Sequence, residues 1–277
     1  MTRRPTLAEV SGAAAISGAL GLSAVGPAWS AALLGGWLLI CAVAPFLPRL
    51  GFYLPVVSHG CTGRPAVALT FDDGPDPLST PALLALLRRR GIRAAFFVTG
   101  RNAAAYPDLV RDMLAGGHSI GNHSFSHDAA IMFRSQATLR GEIAQTQAVL
   151  AGLNIVPLVY RPPVGITHPR LIGALKAEGL IAVTFSCRAF DCGNRRIQRL
   201  ADTILRTVRG DDIIMLHDTP PPGGIPVDQW IDEVRRILDG LDRKALAVVP
   251  LADLMQQPVM RRCGEANAGK CTKGEPA

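Results

Sequence analysis

The first fifty residues of the chain are dominated by apolar side chains. No Asp, Glu, Lys, Arg or His occurs from Val10 to Pro48, a stretch well beyond the about 20 residues that one membrane-spanning helix needs. Pro27 divides it into a weakly apolar Gly/Ala/Ser-rich arm and a strongly apolar second arm, Ala28 to Leu47. We therefore expect residues 1–50 to form a membrane anchor of one or two transmembrane helices.

The topology of this anchor has three interpretations. A two-helix hairpin would place Arg3, Arg4 and Arg49 on the cytoplasmic side, together with the rest of the chain. A single span from the second arm could place the rest of the chain outside. A cleaved signal peptide fits least well, because the strongest apolar run lies downstream of the cleavage sites near Ala28 and Ser30. Three arginines do not decide between these alternatives.

After the apolar stretch, short runs rich in β-formers alternate with helical patterns. The predicted strands cover residues 66–71, 93–98, 118–121, 158–160, 180–185, 212–216 and 245–249. The predicted helices cover 80–91, 107–115, 135–153, 169–178, 196–209, 227–241 and a short segment up to 256. About seven such units predict a parallel sheet that can close into a barrel. Residues 51–257 would form this domain, and the polar, Gly/Lys-rich residues 258–277 a disordered tail.

The composition of the chain excludes several classes of protein. With 48% hydrophobic and 18% charged residues, the chain of 277 residues can build a core and is not a disordered protein. Its net charge of +7 is spread along the chain without a recognition motif, so we expect no nucleic-acid partner. Six cysteines are too few for a disulfide scaffold, although Cys263 and Cys271 could form one bridge.

Reactive side chains follow the predicted strands where each strand ends. Asp72 and Asp73 follow the first strand, and His123 and His127 follow the third. On a helical turn, residues four apart share a face, so both imidazoles could bind one ion. Two histidines and the Asp73 carboxylate would leave open positions for water and substrate, as catalytic zinc and iron sites do.

Three more strand ends carry polar groups. Arg161 follows the fourth strand and could hold a carboxylate with both of its terminal nitrogens. Asp191 follows the fifth strand, and His217 ends the sixth. Because neighbouring residues on a strand point to opposite faces, Asp191 is a better partner for His217 than Asp218 is.

The segments TFDDGP, GNHSFSH, RPPVG, the strand-end Asp and IIMLHD occur in this order. Together they resemble the polysaccharide deacetylase family, the NodB-homology domain of carbohydrate esterase family four, over about Arg64 to Met255. The resemblance implies a distorted (β/α)7 barrel. It also implies a metal-dependent carbohydrate deacetylase, a hydrolase that cleaves N-acetyl groups from amino-sugar-containing glycans.

The resemblance also implies a role for each matching residue. Asp72 would be the general base, and Asp73, His123 and His127 would hold a divalent metal, zinc first, with cobalt, nickel or iron as alternatives. Arg161 would orient the base, and Asp191 would pair with the catalytic acid His217. Met215 would line a pocket for the acetyl methyl group, and the backbone N–H near Val164 would bind the oxyanion.

The chain departs from the family pattern where the sugar would stack. The family motif DxxDW is replaced by Arg188 to Cys192, which keeps only its second Asp, and Val164 replaces an aromatic residue. The substrate class therefore stays open. The alternatives are a polysaccharide, peptidoglycan or related glycoconjugate; deacylation or deformylation of a lipid-linked amino sugar; and O-acetyl ester cleavage. We expect the enzyme to be anchored in a bacterial-type inner or cell membrane.

Overall fold

The computed structural model describes residues 5–263. Its first part is a helical hairpin of α1 (Leu7–Ser23) and α2 (Pro27–Val43). The indole of Trp37 on α2 lies against Gly12 of α1 and donates a hydrogen bond of 3.2 Å to Ser11 Oγ. The stretch Pro27–Phe46 is long and apolar enough, by length and composition, to cross a membrane.

Both ends of the hairpin contact the rest of the molecule. At the start of α1, the Ala8 N–H donates to the Phe52 carbonyl at 2.9 Å. After α2, the Pro45 carbonyl accepts from the Thr167 N–H at 3.1 Å. The turn that joins α1 to α2 therefore points away from the α/β domain.

The remaining residues alternate between strands and helices, as predicted. The strands are β1 (Val56–Val57), β2 (Ala66–Asp72), β3 (Ala95–Val98), β4 (Ser119–Asn122), β5 (Ile155–Pro157), β6 (Val159–Tyr160), β7 (Ile181–Val183), β8 (Cys187–Arg188), β9 (Ile213–His217), β10 (Ala247–Val248) and β11 (Met260–Arg262). The helices are α3 (Ser79–Arg89), α4 (Gly100–Ala105), α5 (Pro107–Ala115), α6 (Gln136–Ala151), α7 (Leu171–Ala177), α8 (Leu200–Thr207), α9 (Val227–Arg243) and α10 (Leu251–Met255).

The main sheet is a parallel, curved half-barrel. Its strand order is β1-β7-β6-β4-β3-β2-β9-β8, and β10 pairs in parallel with the start of β2. Among the described strands, the edge strands β1 and β8 do not pair with each other, so the barrel is open. The structure thus confirms the predicted α/β class and the distortion of the barrel.

The alternation of side chains on β2 separates two cores. Val67, Leu69 and Phe71 face outward and pack with the surrounding helices. Ala66 and Ala68 face inward, into a smaller core that also holds residues of β3, β7 and β9. The same alternation places Thr70 and Asp72 on the inner face, at the carboxyl end of the strand.

The prediction of a disordered tail from residue 258 onward is wrong for residues 260–262, which form β11. β11 pairs antiparallel with β5, with Met260 opposite Pro157, and Met260 Sδ accepts a hydrogen bond from the Ile120 N–H. A methionine that packs against the core therefore orders this otherwise polar segment. Cys271 lies outside the described residues, and with it the predicted bridge to Cys263. The sequence also missed β1, β5, β8 and α4, which are too short for a periodic pattern.

Candidate metal and catalytic site

The candidate residues meet at the carboxyl edge of the sheet. Asp72 and His217 are register partners at the ends of the neighbouring strands β2 and β9. Asn122 of β4 pairs with Tyr160 of β6, so the residues that follow them, His123 and Arg161, leave the sheet at the same level. Parallel strands therefore bring together residues that are far apart in the sequence.

Three side chains converge on one point. Asp73 Oδ1 lies 3.3 Å from His123 Nε2 and 3.2 Å from His127 Nε2. Three donor atoms bound to a tetrahedral ion at about 2.0–2.2 Å would be about 3.3–3.6 Å apart. Asp73 Oδ1 is also buried without a hydrogen-bond partner, a position that a cation would satisfy. The geometry and the chemistry of the donors therefore fit a divalent metal ion.

The two histidines lie on a loop and not on the helical turn that we predicted. The backbone of Ser124 and His127 is left-handed, with φ of 66° and 54°. Ser124 Oγ accepts the His127 N–H at 3.2 Å, and the Glu142 carboxylate accepts those of Phe125 and Ser126. Side chains thus satisfy the loop's backbone donors and hold His127 toward His123.

Hydrogen bonds and nearby charges determine how the imidazoles of His123 and His127 can interact with a cation. His123 Nδ1 donates to the Arg161 carbonyl at 2.8 Å, which leaves Nε2 free to bind an ion. Burial opposes charging of His123, but the carboxylates of Asp72 and Asp73 outweigh it and raise its pKa. The pocket therefore favours a positive charge. Burial and the charge of His123 lower the pKa of His127, which favours its neutral, metal-binding form.

Asp72 is held by a buried arginine. Arg161 Nη1 donates to Asp72 Oδ1 at 2.6 Å and to Thr70 Oγ1 at 2.8 Å, and Nη2 donates to the Thr184 carbonyl at 2.8 Å. The guanidinium also lies over the Phe97 ring, 3.9 Å from its centroid. Only one nitrogen contacts the carboxylate, so the bidentate pair that the sequence allowed is absent.

His217 is paired with Asp191, as the strand alternation predicted. His217 Nδ1 lies 2.7 Å from Asp191 Oδ2. Burial alone would lower the pKa of His217, but the hydrogen bond and charge of Asp191, with the charges of Asp73 and Asp72, raise it to about 9. The sequence analysis missed Asn194, whose N–H donates to Asp191 and whose amide donates to the carbonyls of His217 and Thr219.

This pairing makes the pH dependence of turnover sensitive to Asp191. In Asp191→Asn the charge that offsets burial is lost, so the pKa of His217 falls and its protonated form disappears at lower pH. We expect the alkaline limb of kcat/KM to move by at least about one unit toward neutrality relative to the unmodified protein. An alkaline limb that does not move in this variant would contradict the pairing as the origin of the shift.

The two predicted substrate-contacting residues lie on different parts of the site. Met215 is buried on the inner face of β9, in register with Thr70 and two residues before His217. It therefore lies below the reactive groups. Val164 lies on the loop after β6, with a left-handed φ of 51°, which is strained for a β-branched residue, and its side chain is exposed. The structure thus places Val164 at the rim.

Asp218 points away from His217 and supports the turn after Asp73. Its buried carboxylate accepts hydrogen bonds from Ser79 Oγ at 2.8 Å and Thr80 Oγ1 at 2.6 Å. Burial raises the pKa of Asp218 to about 7, although the two hydroxyls oppose the shift. A Cβ added at Gly74 would lie 2.4 Å from Asp218 Oδ2, so only glycine allows this approach.

We therefore expect Gly74→Ala to displace the turn that carries Asp73. Overpacking of this kind should lower the free energy of unfolding by about 1–3 kcal/mol and weaken metal binding. Urea denaturation and metal titration measure both effects. The matched control is Gly141→Ala on α6, where an added Cβ meets nothing within 4 Å and a more stable helix is expected. Equal effects of the two substitutions would contradict the packing argument.

Comparison with known proteins places this arrangement in a family. The model of the family described as polysaccharide deacetylase matches residues 59–183. A chitooligosaccharide deacetylase from Sinorhizobium fredii is 34% identical over 203 residues, which cover 71% of this chain and 94% of the relative. The chain belongs to the polysaccharide deacetylase family.

Two further similarities agree with this assignment. A peptidoglycan-N-acetylglucosamine deacetylase from Bacillus cereus is 31% identical over 192 residues, which cover 69% of this chain and 88% of the relative. The solved structure of the Bc1960 peptidoglycan N-acetylglucosamine deacetylase superimposes with a TM-score of 0.67 at 29% identity, and the match covers 74% of this chain and 95% of that one. The hairpin of α1 and α2 precedes the residues that the family model matches.

Proposed function

We propose that this member of the polysaccharide deacetylase family is a metal-dependent hydrolase that removes N-acetyl groups from amino-sugar-containing glycans. The observation that carries the proposal is the convergence of Asp73, His123 and His127 beside the carboxylate of Asp72. An ion held by these three groups, zinc before cobalt, nickel or iron, would polarise the acetyl carbonyl and make a water molecule more acidic.

Asp72 accepts the proton of the attacking water in this proposal. Its Oδ1 is held by Arg161, while its Oδ2 lies 4.0 Å from His123 Nε2, on the side of the metal ligands. The guanidinium, fixed by Thr70 and Thr184, keeps the carboxylate oriented and compensates its charge. Asp72 can thus act as a general base next to the reacting carbonyl.

His217 protonates the leaving amine. Because its Nδ1 faces Asp191, its Nε2 is the nitrogen available to the substrate. A pKa raised to about 9 keeps the imidazole protonated at neutral pH, so the acid is ready when the carbon–nitrogen bond breaks. Asp191 orients this ring, and Asn194 supports the pair by donating its N–H to Asp191 and its side-chain amide to the His217 carbonyl.

The positions of Met215 and Val164 suggest how the acetyl group would be bound. Met215 would form the apolar floor under the acetyl methyl group, and the backbone N–H of Val164 would donate to the developing oxyanion from the rim. Neither residue offers an aromatic surface for stacking a sugar. A short glycan or a glycoconjugate is therefore favoured over a long polysaccharide.

The helical hairpin would anchor the enzyme in a bacterial-type inner or cell membrane. Support comes from the apolar stretch Pro27–Phe46 and from its exposed side chains, such as Trp29 and Leu39. If α1 and α2 both span the bilayer, the chain start and the α/β domain lie on the same side. Labelling of the exposed Cys263 with a membrane-impermeant reagent tests which side this is.

Release of acetate tests the proposal. The full chain in detergent, loaded with zinc, is incubated with an N-acetylated chitooligosaccharide, peptidoglycan, O-acetylated xylan and a polyprenyl-linked N-acyl amino sugar. We expect acetate from the N-acetylated amino sugars. Formate from an N-formyl substrate alone would favour the deformylase alternative, and acetate from xylan alone the O-acetyl esterase. No hydrolysis of any of these substrates would contradict the proposal.

A further inference from the structure

Two arginines, Arg49 and Arg188, lie beside the segment that joins β7 to β8. Arg49 comes three residues after the apolar stretch Pro27–Phe46. Its Nε donates to the Phe185 carbonyl at 3.3 Å, and its Nη2 donates to the Ser186 carbonyl. These carbonyls lie in the segment that joins β7 to β8, where the Ser186 N–H donates to the Ile213 carbonyl at the start of β9. The end of the hairpin is thereby fixed on this segment.

Arg188 lies on β8, an edge strand of the sheet, in register with Met215 of β9. Cys187 packs in the outer core, so Arg188 faces the inside of the half-barrel. Its guanidinium stacks over the Phe190 ring, 4.1 Å from the centroid, and lies 5.3 Å from that of Phe185. Stacking fixes the plane of the guanidinium but leaves the N–H groups at its edge available.

These N–H groups have no partner in the described part of the chain. Within residues 5–263, the guanidinium of Arg188 donates no hydrogen bond and forms no ion pair. Asp191 is near enough to act on Arg188 by its charge, but its Oδ2 already accepts from His217 and Asn194. Arg49 holds the carbonyls of Phe185 and Ser186, and Arg188 lies two residues further along and beside the Phe185 ring, so the two cations are close together. In agreement, burial and then the charge of Arg49 lower the pKa of Arg188. An anion between the two guanidinium groups would stabilise this arrangement.

We infer that Arg49 and Arg188 form a subsite for a phosphate group of the substrate, next to the scissile amide. A planar guanidinium matches phosphate oxygens with paired N–H donors, which suits Arg for this task. The subsite lies near the end of the apolar stretch Pro27–Phe46, whose last residue, Phe46, is exposed, as is Leu47 after it. A phosphate at this place would lie at the level of lipid headgroups.

The substrate class is accordingly an amino sugar joined through phosphate to a lipid. This inference rests on the proposed deacetylase function, because it identifies the substrate of the same site. Arg209 offers a matched control, since it is an exposed arginine before β9, at the end of the strand opposite to the site.

The test compares three substrates with the same N-acetylglucosamine: its neutral methyl glycoside, its 1-phosphate, and the sugar linked through pyrophosphate to a short prenyl chain. Acetate release is measured with the full chain in detergent micelles. We expect the phosphate-bearing substrates to have the higher kcat/KM. Arg188→Gln and Arg49→Gln should each lower the ratio of phosphorylated to neutral kcat/KM by about tenfold or more. Arg188→Lys should retain part of the preference, and Arg209→Gln all of it.

The outcomes separate the subsite from the proposed function. Acetate release with no effect of Arg188→Gln or Arg49→Gln on the ratio overturns the subsite and leaves the deacetylase proposal intact. Binding to phosphatidylglycerol vesicles, relative to phosphatidylcholine vesicles, is measured as well. If the two substitutions weaken this binding and leave the ratio of kcat/KM unchanged, the arginines bind lipid headgroups and the subsite is overturned.

If no substrate releases acetate, the proposed function fails and calorimetric titration with N-acetylglucosamine 1-phosphate decides the subsite. Binding that weakens about tenfold in Arg188→Gln but not in Arg209→Gln supports it. A lack of binding to the unmodified protein overturns it.

Discussion

Asp72→Asn is expected to lower kcat by about a thousandfold, because an amide cannot accept the proton of the attacking water. The substitution keeps the shape of the side chain and an oxygen for Arg161, and it leaves Asp73, His123 and His127 unchanged. The variant should therefore still bind one metal ion per chain. Acetate release is measured per metal-loaded protein, with the metal content determined by elemental analysis.

The loss of the charge also affects stability, so a control is needed. Arg161 is fully buried, and Asp72 is the carboxylate that contacts it among the described residues. Leaving this cation unpaired should cost about 3–5 kcal/mol of the free energy of unfolding, which thermal denaturation detects. Asp108→Asn, the same change at an exposed carboxylate, should alter neither kcat nor stability measurably. A folded, metal-loaded Asp72→Asn with full activity would refute the general base.

His123→Ala is expected to abolish activity by a different route, the loss of the metal. It removes one of three converging donor atoms and leaves the carboxylates of Asp72 and Asp73 close together without the cation that the pocket favours. Metal affinity should fall by more than about a hundredfold, since changes to groups that only support metal ligands already cost 10–100-fold. Titration with zinc, followed by calorimetry, measures the affinity.

Chelation and a matched histidine provide the controls for this result. Treatment of the unmodified protein with a chelator should remove its activity, and added zinc should restore it. His168→Ala changes a histidine that stacks on Tyr53, outside the metal cluster, and should leave the metal affinity intact. Unchanged zinc affinity in His123→Ala would show that this imidazole is not a ligand.

The sequence carried most of the information on the position of the site. Asp72, His123, Arg161 and His217 each follow or end a recognisable apolar strand, and the carboxyl ends of parallel strands meet at one edge. Alternation along β9 also made Asp218 a poor partner for His217 and left Asp191, which follows another strand, as the better candidate. These inferences need only the approximate ends of the strands.

Groups whose role depends on three-dimensional contacts were not predicted. Thr184 contributes only its carbonyl to Arg161, so its side-chain type carries no signal. Thr70 could have been identified, because it shares the inner face of β2 with Asp72, two residues away. Asn194 follows Asp191 by three residues, a spacing typical of a side-chain-capped turn. The loop form of the His123–His127 segment depends on Glu142, which the spacing of the histidines does not reveal.

The N-terminal helical hairpin was also predicted only in part. Pro27 and the two apolar arms allowed a two-helix hairpin as one of three interpretations, but the contacts of the hairpin with the α/β domain required the structure. The hydrogen bonds of Arg49 to the residues after β7 join segments more than 130 positions apart. No local pattern predicts that the end of the hairpin lies against the segment between β7 and β8.

Anomalous scattering from crystals grown with zinc tests the central claim most directly. The account predicts one strong peak at the zinc edge, bonded to Asp73 Oδ1, His123 Nε2 and His127 Nε2, with Asp72 beside it and not bound. A peak on other residues, or no peak at this site in zinc-loaded crystals, would contradict the metal site on which the proposed hydrolysis depends.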